Sequence, residues 1–114
     1  MNELTAENYN ELAARLKACL GLFTSTLAGD SVEHVCHYIE HGELEMAYES
    51  LVLSCIKEGI ACEKPVANEL RSIGIELNME TEAVFEADFW RIAQEFFSSV
   101  PPSDPPQQGR VADS

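Results

Sequence analysis

Apolar residues recur at spacings of three and four along most of this chain, with polar residues between them, the signature of helices that each bury one face. The first such segment is predicted from about Thr5 to Leu27, with Tyr9, Leu12, Leu16, Cys19, Leu20 and Phe23 as its stripe. Thr5 is its expected cap, and Glu7 falls in the first turn, where negative charge suits the helix dipole. The run TSTLAGDS loosens the pattern and breaks it near Gly29. A second helix follows, capped by Asp30 or Ser31. Val32, Val35, Cys36 and Ile39 lie on one side of its wheel, and His34, His37 and His41 lie opposite. Gly42 is placed to end it, because glycine accepts the left-handed conformation at a helix terminus.

The third predicted helix runs from Glu43 to about Glu58, with Leu44, Ala47, Tyr48, Leu51, Val52 and Cys55 on one face. Met46 and Leu53 fall on the other side, so burial from two directions and a central place in the bundle are expected; Gly59 is its stop. Pro65 suits the first turn of a fourth helix, where its missing N–H costs little, and Val66, Leu70, Ile73 and Leu77 carry the period onward. Thr81 is the expected cap of a fifth, with Glu82 in its first turn and Phe85, Phe89, Ile92, Ala93 and Phe96 as its buried stripe. Sustained apolar–polar alternation and Asn-Gly or Asp-Gly hairpin turns are missing. The fold class is therefore all-α, a compact bundle of about five helices. Beyond Ser98 the chain holds four of its five prolines and few apolar residues. It divides into a helical domain, 1–98, and a disordered Pro-rich tail, 99–114.

Length and composition fit that picture: 114 residues make one domain, and 46% hydrophobic residues suffice for one core. Charge changes it. Twenty Asp plus Glu against seven Lys plus Arg give a net of -13, a field that repels nucleic acid and anionic lipid and attracts cationic surfaces. Direct nucleic-acid binding is excluded, since it needs a basic patch. No apolar run approaches the ~20 residues of a membrane span, and the N-terminus does not read as a secretory signal, so a cytoplasmic protein with no membrane partner is expected. The four cysteines show no CxxC spacing and sit in or beside apolar patterns, which points to reduced, buried thiols.

Candidate chemistry is sparse. His34, His37 and His41 project from one helix face at i, i+3 and i+7, with Glu33 and Glu40 nearby, and such a set can chelate zinc or nickel. One helix rarely completes a closed site, so a polar face rich in histidine is the stronger reading, with no metal and no cofactor. Glu45 and Glu49 are four apart, but a di-metal bundle needs Glu-x-x-His pairs, and none is present. No GxSxG, Cys–His–Asn or phosphate-loop pattern occurs, so no catalytic residue is assigned and an enzyme is not expected. What remains is acid, in two clusters: Glu33, Glu40, Glu43, Glu45 and Glu49 around the second and third helices, and Glu76, Glu80, Glu82, Glu86 and Asp88 around the last junction. Self-repelling carboxylates destabilise a fold slightly, and fast capture of a cationic partner is a benefit that offsets this.

The run VCHYIEHGELEMAYESLVLSCIKEGI, Val35 to Ile60, resembles the MafI-type immunity proteins of bacterial polymorphic toxin and contact-dependent growth inhibition systems. Tyr38, His41, Gly42, Glu43, Glu45, Ala47, Glu49 and Leu51 stand at the recurring positions of that family's motif, and ANELRSIGIELNM, Ala67 to Met79, looks like its next helix. The resemblance implies a non-catalytic protein made in the cytoplasm that neutralises the C-terminal effector domain of a cognate toxin, often a basic nuclease. On that basis the docking surface is expected to comprise Glu33, His37, Glu40, His41, Glu43, Glu45 and Glu49. The glutamates would supply charge and the two histidines directed hydrogen bonds, while Gly42 is either part of the interface or only a backbone device. Two other classes stay open: a metal-binding or regulatory helical module, and an adaptor that docks partner helices on the Met46/Leu53 face.

Overall fold

The structure, a computed structural model, describes residues 6–98. The Thr5 cap and the tail 99–114 lie outside the described residues. Within them the chain forms six helices and no strand, an all-α bundle: α1 (Ala6–Gly21), α2 (Gly29–Glu40), α3 (Leu44–Lys57), α4 (Lys64–Glu76), α5 (Met79–Glu82) and α6 (Phe89–Ser98). No helix among the described residues is long and apolar enough to cross a membrane.

Helix α1 stops at Gly21, earlier than its apolar pattern suggests. Leu22 and Phe23 donate their N–H groups back to Cys19 and Leu20 at i−3, and the hydroxyls of Thr24 and Thr26 donate to the carbonyls of Gly21 and Phe23. Such local side-chain bonds compete with the helical ladder. Phe23 and Leu27 still reach the core, now from turns.

The stops of α2 and α3 fall where glycine predicts them. Gly42 (φ +73°) follows α2, with Gly42 N–H donating to Ile39 and Glu43 N–H to Tyr38. Gly59 (φ +70°) follows α3, with Gly59 N–H donating to Ile56 and Ile60 N–H to Cys55. Both are Schellman closures that satisfy the last carbonyls of a helix. Pro65 lies in the first turn of α4.

The start of α2 departs from expectation. Neither Asp30 nor Ser31 caps it; Ala28 occupies the cap position and makes no side-chain bond there. Glu58, just past α3, does the work from across the hairpin: its carboxylate accepts Ala28 N–H at 2.9 Å and the Ser31 hydroxyl at 2.7 Å. Those two bonds hold the Glu58 carboxyl below its usual range.

Helix α3 packs against α1, α2, α5 and α6, and half of its residues are buried, which puts it at the centre of the bundle, although Met46 and Leu53 on its other side are only half-buried. Tyr48 of α3 is fully buried, donates its hydroxyl to the Leu70 carbonyl of α4 at 2.6 Å, and meets Phe89 of α6 edge-on. Arg15 ties α1 to α4 through Glu69 at 2.8 Å and Glu76 at 2.9 Å.

All four cysteines are free. Burial pushes the Cys19 thiol up to about 11 and the Cys55 thiol up to about 12, and raises that of Cys62 as well, so little reactive thiolate exists at neutral pH. Cys36 is only half-buried. A thiol reagent such as Ellman's is therefore expected to modify Cys36 in the native protein and the other three only on unfolding. Rapid native modification of all four would contradict this packing.

Candidate functional site

Helix α2 turns its buried side, Val35 and Ile39, toward the core, which leaves Glu33, His37, Glu40 and His41 together on its outer face. All four are exposed, and Glu43 in the following turn is exposed as well. No Lys or Arg occurs between Lys17 and Lys57. Among the described residues no ion pair reaches Glu33, Glu40 or Glu43. The face is thus acidic without local compensation. The His37 and His41 rings lie tilted by 39° with centroids 4.1 Å apart, and His41 Nδ1–H donates to the His37 carbonyl at 2.8 Å. A carbonyl can only accept, so that bond places the proton on Nδ1 and leaves Nε2 as the His41 nitrogen for a partner. No group of three His, Cys, Asp or Glu side chains among the described residues is arranged to hold a metal ion.

The turn joining α2 to α3 is held rigidly. Tyr9 of α1 donates its hydroxyl to the Gly42 carbonyl and accepts the Leu44 N–H at 3.0 Å. Burial raises the Tyr9 phenol above its usual value, the Leu44 bond works against that, and the neighbouring carboxylates of Glu45 and Glu43 add to the rise. A Cβ placed on Gly42 would meet nothing within 4 Å, but its φ of +73° is costly for any other residue. Gly42 therefore serves the backbone. Gly42→Ala is expected to lose about 1–2 kcal/mol in urea unfolding, while the folded fraction keeps its surface unchanged.

Two of the expected site residues sit differently. Glu45 is only half-exposed. Glu49 is a correction: it is fully buried and faces no solvent. Its Oε1 accepts Val84 N–H at 2.7 Å, and its Oε2 accepts Phe85 N–H at 2.9 Å and Glu86 N–H at 2.7 Å. Three consecutive amides on one carboxylate form a tight anion nest. Glu49 thus fixes the segment between α5 and α6 and does not supply surface charge. The hint lay in the α3 wheel, where Glu49 falls between Val52 and Leu53, flanked by apolar residues on both sides.

The same nest overturns the expected fifth helix. Amides captured by Glu49 cannot join a helical ladder, and Thr81 is not a cap: it lies inside the four-residue α5, whose cap position is Asn78, and its hydroxyl donates to the Asn78 carbonyl; α5 ends at Glu82, and α6 starts only at Phe89. Phe85, expected in the buried stripe, is 47% exposed. Phe89 and Ala93 are buried as expected, and Ile92 and Phe96 half-buried. The second acidic cluster surrounds this segment, with Glu80, Glu82 and Asp88 exposed and Glu86 half-buried.

No family model, curated protein or solved structure matches the chain.

Proposed function

We propose that this chain is a non-catalytic immunity protein of the MafI type that binds the C-terminal domain of a cognate toxin, a basic nuclease, and neutralises it stoichiometrically in the cytoplasm. The observation that carries the proposal is the outer face of α2 with its following turn. Glu33, Glu40 and Glu43 are exposed there, have no ion pair among the described residues, and stand on a hairpin fixed by Tyr9, Gly42 and Glu58. A nuclease cleft holds phosphates with positive charge, and carboxylates on a rigid support can occupy the same field without folding cost on binding. His37 and His41 add hydrogen-bonding groups to that face, and Glu45 contributes from its edge.

The metal-binding alternative needs several ligands to converge, and the three histidines lie along a single helix face with no such group around them among the described residues. Neutralisation is tested by co-expressing the chain with each toxin C-terminal domain encoded in the same locus. Restored growth with one of them is the expected result. Failure with every one of them would overturn the proposal.

A further inference from the structure

The Val84–Phe85 pair is an anomaly that the acidic face does not absorb. Val84 is 61% exposed and Phe85 47%, on a segment whose three amides are nonetheless gripped by a fully buried carboxylate. An apolar pair in a loose loop would fold inward or be free to move. Here the backbone is fixed and the apolar side chains are turned to solvent. Beside them lies a shallow groove of about 280 Å³ lined by Tyr38, Ser50, Leu53, Ser54, Lys57 and Phe85.

Two observations bear on what would cover this patch. The first is continuity: Tyr38 shares α2 with His37, and its ring centroid lies 6.0 Å from that of Phe85, so the apolar patch adjoins the acidic α2 face. The second is charge. Glu82 and Glu86 flank the pair in sequence, Asp88 beyond them is paired with Arg91, no Lys or Arg occurs between Arg71 and Arg91, and Lys57 is the single cation among the groove's lining residues. Acidic groups thus border the patch along both the α2 face and its own segment. An apolar centre within a charged rim is the anatomy of a protein interface, and rigid aromatic side chains at such a centre carry most of the binding energy.

We propose that Val84 and Phe85, with Tyr38 and the adjoining groove, form the apolar anchor of the interface with the basic toxin domain, seated in an apolar pocket of that domain bordered by Lys and Arg. This rests on the immunity reading above. Glu49 is then a positioning residue, which holds the anchor in its bound shape before the partner arrives.

The test is Phe85→Ala in the full chain, with binding kinetics measured on each toxin C-terminal domain of the locus, and folding checked by circular dichroism. The expected result is dissociation roughly thirtyfold faster, with the association rate and its salt dependence unchanged. Val84→Ser, at the more exposed position, is expected to act in the same direction and serves if Phe85→Ala compromises folding. If the native chain binds a toxin domain and both folded variants bind within about twofold of it, the anchor is wrong while the immunity reading stands. If the native chain binds none of the domains, the immunity reading fails and the anchor fails with it.

Discussion

Glu49→Ala is expected to destabilise the protein by about 3 kcal/mol in urea unfolding, at the upper end for a single substitution. The size follows from what is left behind. Removing the carboxylate strands the amides of Val84, Phe85 and Glu86 at once, and it opens a cavity at a position with no solvent access. Charged acceptors contribute more per bond than neutral ones, and among the described residues no other acceptor contacts these three amides. Glu49→Gln keeps the volume and one carbonyl acceptor, so about half of that loss is expected. Hydrogen exchange separates this from a general loss of stability: the amides at 84–86 should lose protection first, while those of α3 and α4 follow global unfolding. A Glu49→Ala protein as stable as the native one would mean that the carboxylate does not hold this segment.

Gly74→Ala comes next in size and runs against the usual rule. Alanine in place of glycine within a helix normally gains about 1 kcal/mol. At Gly74 of α4, however, an added Cβ would lie 2.5 Å from the Tyr48 hydroxyl and 2.7 Å from Cζ3 of Trp90. The Tyr48 ring is fully buried and bonded to Leu70, so it cannot yield without breaking that bond. Trp90 is half-buried and must move as well. The clash outweighs the propensity gain, and a net loss of about 2 kcal/mol is expected. Trp90 is the only tryptophan, so its emission should shift in the folded variant. A stabilised variant with native emission would show that α3, α4 and α6 approach less closely than described.

The sequence made some of this legible and hid the rest for physical reasons. Helix stops governed by one residue were readable: Gly42, Gly59 and Pro65 act through their own backbone geometry. The centre of the bundle was readable from the broad apolar face of α3, although Met46 and Leu53 on its other side are only half-buried. Long-range bonds were not. Nothing near Ser31 announces that Glu58 caps α2, and the apolar spacing from Phe85 to Phe96 fits a continuous helix until Glu49 takes the amides needed to start it. Asn78 adds a further break, standing at φ +60° between α4 and α5, where Asn is one of the few non-glycine residues that tolerate it. At the candidate site the polarity pattern correctly put Glu33, His37, Glu40, His41 and Glu43 on the surface. It failed for Glu49, because a charged residue on a helix normally faces water and only a tertiary anion nest reverses that. Val84 and Phe85 were missed for the same reason, since their exposure depends on the nest.

The proposed capture of a basic partner by an acidic helical face stands or falls on the association rate with the toxin domain, measured from about 0.05 to about 0.5 M salt. The expected result is a rate that falls steeply with salt, with a shallower fall for the folded Glu40→Gln plus Glu43→Gln variant and a dissociation rate that changes much less. A rate indifferent to salt, and equal in the native protein and the variant, would contradict it.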